Sequence, residues 1–121
     1  MPSPIPQPAL ATILPAGWMS ESDLLRAATA VVCGCGHPAS WTLMRTADLR
    51  VVQVVQALNC ERLPSGGAAG VVAGSRVLLG TPEDLLDHGV DLSGVPPIPS
   101  DEHMLWVAVD GRFAGIVQLY E

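Results

Sequence analysis

The 121 residues are enough for one domain with a single core, and a 49% apolar share separates them from disordered chains. Six arginines and no lysine stand against twelve acidic residues, a net charge of −6, which excludes a basic face for nucleic acid or for an anionic membrane surface. Three cysteines, an odd number, come without a signal-peptide pattern and imply a reducing, intracellular setting; no apolar run approaches the ~18 to 20 residues that span a bilayer.

Residues 1–19 read as a proline-rich lead-in and residues 20–121 as one domain. Five prolines between Met1 and Gly17 surround the apolar stretch Ala9 to Leu14, which fits an edge strand because proline cannot donate to a central ladder. Ser20 offers an N-cap with Asp23 three residues on, and Leu24, Leu25, Ala28, Val31 and Val32 follow at helical spacing, with Gly34 as the stop. Pro38 suits the first turn of a second helix, with Trp41, Met44 and Ala47 as its buried stripe. That puts His37 at or just before the helix N-cap. The stretch Arg50 to Leu58 stays open between a strand, favoured by its four valines, and a prolonged helix.

From Cys60 onward the pattern turns to short β segments broken by glycine: Cys60 to Leu63, Ala68 to Ala73, and Arg76 to Leu79, the last two joined by a tight turn at Gly74-Ser75. Thr81, Pro82, Glu83 and Asp84 form a helix start, with threonine as cap and acids facing the positive end of the dipole. Leu85 and Leu86 give this helix its apolar side, Gly89 ends it, and Glu83, Asp84 and Asp87 read as a solvated face. Pro96, Pro97 and Pro99 exclude regular structure from residues 90–103. A closing hairpin pairs Leu105 to Val109 with Phe113 to Leu119 around Asp110-Gly111. The sum is an α+β fold, a mostly antiparallel twisted sheet of about six strands with two to three helices packed on one face.

Taken in order, His37-Pro38, the glycine-broken run from Pro64 to Gly80 and the hairpin from Val107 to Leu119 resemble the nucleotide-binding (N) domain of P-type cation-pumping ATPases, most closely the heavy-metal branch. The segment Cys35-Gly36-His37-Pro38 stands where that family has a Ser-Glu-His-Pro-like segment whose histidine approaches adenine. Ser65-Gly66-Gly67 stands at its Gly-x-Gly, with serine replacing the first glycine. Val77 to Thr81 resembles its Val-Leu-Val-Gly-Asn-like segment, with Thr81 in the asparagine position, and Val109-Asp110-Gly111 its Val-Asp-Gly hairpin.

The resemblance implies that ATP is held by its adenine against His37, with Ser65, Gly66, Gly67, Gly80 and Thr81 shaping the pocket. Mg2+ would travel with the phosphates and be held mainly outside this domain. A neutral imidazole can both stack on a purine and hydrogen-bond it. The implied partners are the phosphorylation and actuator domains of a parent pump, on the cytoplasmic side of its membrane. The chain would then be a domain excised at its two connections, monomeric in isolation and without direct membrane contact.

Two departures shape the expectation. Val32 stands where the family has a glutamate that accepts from the adenine amino group, so weaker or less adenine-selective binding follows. The phosphorylated-aspartate motif Asp-Lys-Thr-Gly-Thr is absent, so no catalytic residue is expected and the chain should not hydrolyse ATP by itself. Two other readings stay open. One is a domain of the same fold that has lost ATP and works as a regulatory or protein-interaction module. The other is a small metal-binding protein using Cys33, Cys35 and His37. That spacing is not a standard zinc pattern, and buried or incidental thiols are the simpler account, so no metal centre is expected.

Overall fold

The structure is a computed structural model that describes residues 11–37, 39–64, 66–95 and 104–119. Strands β1 (Thr12–Pro15), β2 (Leu58–Arg62), β3 (Ala68–Val72), β4 (Ser75–Gly80), β5 (Met104–Val109) and β6 (Arg112–Gln118) form one sheet in the order β1-β6-β5-β4-β3-β2. All neighbouring strands pair antiparallel, and among the described residues β1 and β2 are the edges. Proline-containing β1 is an edge strand, as its composition requires.

Helix α1 (Glu21–Cys35) starts where Ser20 accepts the Asp23 N–H and ends beyond the expected Gly34. Gly36, at φ 66°, is the residue that can take the left-handed turn, and it closes a Schellman cap: Gly36 N–H donates to Cys33 O and His37 N–H to Val32 O. Gly34 stays helical and serves close packing instead, since a Cβ there would overlap the Cys60 sulfur.

Helix α2 (Ser40–Leu49) buries Leu43, Thr46 and Ala47, while Trp41 and Met44 of the expected stripe face solvent. Thr46 earns its buried place by hydrogen bonds, its hydroxyl accepting the Ala11 N–H at 3.0 Å and donating to Thr42 O at 2.8 Å. Pro38 lies outside the described residues. After α2 the chain is neither strand nor helix until Leu58, so the valine-rich stretch takes neither of its two open readings.

The β3–β4 turn is Ala73-Gly74, one residue earlier than expected; both have positive φ, as do Asp110 and Gly111 in the β5–β6 turn, the backbone pattern of type I′. Between those last strands the register steps past Ala114, and Gly115 absorbs the bulge at φ 148°, where a Cβ would lie 2.5 Å from Leu14 O.

Strand alternation then sends residues to two cores rather than one. Leu105, Val107 and Val109 join Val77, Leu79 and Ala68 beneath Leu24, Leu25, Ala28 and Val31 of α1. Trp106, Ala108 and Ile116 project to the other face, where Leu85 of α3 (Pro82–Asp87) and Val90 cover them. The helices therefore lie on both faces, not on one, because β5 is apolar at every position and needs a cover on each side. Asp84 is also not part of a solvated face. It is buried, with its carboxylate folded back in the capping box of α3. Residues 96–103, assigned to a proline-rich loop, lie outside the described residues.

Candidate functional site

The Schellman cap delivers His37 directly beneath the end of α1 and aims its ring at the β2–β3 connection. Nδ1 accepts the Ala39 N–H at 3.0 Å, so that nitrogen carries no proton, and Nε2 donates to Gly66 O at 2.7 Å. The two bonds together require the neutral, Nε2-protonated tautomer. They also commit both ring nitrogens, so the expected base hydrogen bond from the imidazole is not available in this geometry. The ring edge is satisfied by protein, and the side chain as a whole is buried.

Gly66, at φ 98°, belongs to a tight loop in which its N–H donates to Leu63 O at 2.9 Å and Leu63 N–H donates to Gly67 O at 2.9 Å. Ser65 of the same loop lies outside the described residues. Gly67 has ordinary φ and is glycine for a different reason: a Cβ there would overlap Leu79 O and sit 3.1 Å from the Cα of Gly80. Gly80 in turn leaves the space that Asp84 fills. Its carboxylate accepts the Thr81 N–H at 3.0 Å, and the Thr81 hydroxyl accepts the Asp84 N–H at 3.2 Å.

His37, Gly66, Gly67, Gly80 and Thr81 thus form one chain of neighbours from the end of α1 to the start of α3. The ring touches the loop, so no cleft separates the imidazole from Gly66. Cβ atoms built at Gly36 and Gly66 would meet nothing within 4 Å, so both glycines form an open backbone ledge beside the imidazole, which is itself buried, 9% exposed. The Val32 side chain is wholly buried in the α1 core and forms no part of that ledge. Sequence reasoning missed Asp84 as the partner that holds Thr81; the signal was present in the Thr-x-x-Asp spacing of a capping box. It also missed a groove of about 750 Å3 on the α3 side of the sheet, lined by Ala69, Val71, Leu78, His88 and Asp110 and separate from His37.

Cys33, Cys35 and His37 are not brought together as ligands. The imidazole is occupied, and the Cys35 sulfur turns toward the strands, donating to Glu61 O at 3.3 Å. Among the described residues no group of three or more His, Cys, Asp or Glu could hold a metal ion. Burial raises the Cys33 thiol pKa, and burial followed by the neighbouring Cys60 raises that of Cys35. No helix among the described residues is long and apolar enough to cross a membrane.

Superposition on the N-domain of HMA6, a copper-transporting P-type ATPase, gives a TM-score of 0.70 over 94% of this chain and 100% of that one, at 24% identity. A zinc-transporting PIB-type ATPase in the E2P state matches at TM-score 0.68 and 28% identity, over 93% of this chain and 19% of that one. The fold is the N-domain fold of heavy-metal P-type ATPases. Among curated proteins, the copper-transporting ATPase 1 of Rhizobium meliloti (strain 1021) is 27% identical over 118 residues. This N-domain-like chain spans 14% of that relative's length, and 92% of the chain is covered. No protein-family model matches the chain.

Proposed function

We propose that this N-domain holds ATP for a heavy-metal-transporting P-type ATPase, positioning it for phosphorylation of an aspartate on a separate domain. The observation that carries the reading is the His37–Gly66 hydrogen bond, which joins the imidazole to the Gly66-Gly67 and Gly80-Thr81 wall. The open backbone ledge at Gly36 and Gly66, beside His37, leaves room for a flat purine. His37, Gly66, Gly67, Gly80 and Thr81, with Ser65, would hold the nucleotide.

ATP supplies the phosphoryl group, and Mg2+ accompanies its phosphates outside this domain. The residues of this chain contribute orientation. Both His37 nitrogens are anchored, so the ring is fixed before the base arrives and little side-chain entropy is lost on binding. The phosphorylation and actuator domains of the parent pump are the partners this role requires, with the domain on the cytoplasmic side as a monomer.

Titrating Mg-ATP while recording amide chemical shifts tests the proposal. A saturable response at His37, Gly66, Gly67 and Gly80 is expected, and silence up to millimolar ATP would overturn it. A second reading, a domain of this fold without ATP that serves regulation or protein interaction, is favoured by one observation. Val32 occupies the glutamate position of the resemblance and is packed into the core, leaving no carboxylate for the base amino group. Silence in the same titration is the outcome that reading requires.

A further inference from the structure

Strand β2 exposes four of its five side chains and turns in Cys60 alone. The cause is a bulge: the pairing with β3 shifts by one residue between Leu58 and Glu61, and Asn59 takes φ 52°, which re-aims the next side chain toward the sheet interior. The Cys60 sulfur lands in a seat made by two glycines. A Cβ on Gly34 of α1 would overlap it, and a Cβ on Gly70 of β3 would come within 3.1 Å of it. From the other side Cys35, at the last turn of α1, points its sulfur at Glu61 O and at Ala69 O, 3.3 and 3.7 Å away, the residues flanking Cys60 and Gly70. The two thiols thus face the same notch between the end of α1 and the β2–β3 pair, Cys60 seated against Gly34 and Gly70 and Cys35 against the carbonyls beside them.

We infer that Cys35 and Cys60 form a two-coordinate site for a soft monovalent cation, copper(I) in kind. Thiolate is the softest ligand a protein offers and selects copper(I) over hard cations. Two sulfurs without a third donor suit a closed-shell monovalent ion, which accepts linear coordination, and do not suit zinc, which needs four ligands. On binding, two S–H bonds break and two S–metal bonds form. Two protons leave to solvent, no electron is transferred, and the S–metal–S unit keeps one net negative charge. Cys33 takes no part in the contacts that define this notch and serves as the internal control. The site does not depend on the nucleotide reading.

The test uses the whole chain without nucleotide, kept anaerobic with a non-thiol reductant, and copper(I) supplied as its coloured bicinchoninate complex. The unmodified chain and Cys33→Ser should each withdraw one copper per chain and remain monomeric. Cys35→Ser and Cys60→Ser should each weaken withdrawal by about 100-fold or more, the loss expected when a second tethered ligand is removed. Amide spectra establish which variants are folded; if Cys60→Ser is not, Cys35→Ser alone carries the comparison, since Cys35 is only half-buried, at the last turn of α1. Withdrawal undiminished in Cys35→Ser, loss in Cys33→Ser, no withdrawal by the unmodified chain, or one copper shared between two chains would each overturn the assignment.

Discussion

Gly80→Ala isolates the reason for glycine at the junction of β4 and α3. The backbone there has ordinary φ, so alanine gains about 0.5 to 1 kcal/mol by restricting the unfolded chain. Against this, the new Cβ would overlap Asp84 Oδ2 and sit 3.1 Å from two further atoms of that side chain. Asp84 must swing out, which removes its bond to Thr81 N and breaks the capping box, a loss of about 1 kcal/mol. Crowding at a buried position adds about 1 kcal/mol. The net expectation is destabilisation of roughly 1 to 1.5 kcal/mol.

The same substitution made on an Asp84→Ala background meets no carboxylate. With only the alanine Cβ left at 84, it should then be neutral or stabilising by about 0.5 kcal/mol, a coupling of roughly 1 to 2 kcal/mol between neighbouring positions. Urea unfolding of the four proteins, with unchanged m-values, measures the cycle. Equal costs of Gly80→Ala in both backgrounds would refute the argument that Asp84 is what excludes a side chain at position 80.

Nitrogen-15 spectra of His37 should report the Nε2-protonated neutral tautomer, and the opposite tautomer would undo both assigned ring bonds. His37→Ala should lower ATP affinity by about fivefold while leaving the chain folded, as read by the amide titration, since losing the ring that anchors the Gly66 loop is worth about 1 kcal/mol. Thr29→Val should raise stability by about 1 kcal/mol in urea unfolding, because the Thr29 hydroxyl is buried in α1 without a hydrogen-bond partner. The raised Cys33 and Cys35 pKa values mean fewer thiolates at a given pH than an unperturbed cysteine has. Iodoacetamide should therefore modify both more slowly than a free peptide thiol at pH 8, with rates still climbing above pH 9; peptide mass mapping checks this.

Much of the fold was legible because its signals are local. The Ser20 cap, the Thr-Pro-Glu-Asp start of α3 and the Asp110-Gly111 turn depend on residues within a few positions of one another, and the structure places each at its expected point. The errors fall where neighbours distant in sequence decide. Whether Gly34 or Gly36 ends α1 turns on the Cys60 sulfur, which arrives from β2 and occupies the space beside Gly34. Which stripe of α2 is buried depends on how the chain leaves Gly36 and on a hydrogen bond from Ala11 to Thr46, and both bury Leu43 rather than Met44. For the site, the sequence indicated which residues to consider and could not say that the imidazole nitrogens would be spent on Ala39 and Gly66.

Cap, turn and alternation chemistry act over a few bonds, so this sequence by itself determined six strands' worth of pattern, the starts of α1 and α3 and the glycine-rich loop after His37, whereas α2 begins at Ser40 rather than at Pro38. Packing acts between segments that only folding brings together. The two-sided covering of the sheet, the ring tautomer of His37, the folding-back of Asp84 and the meeting of Cys35 with Cys60 were therefore decided by tertiary structure alone.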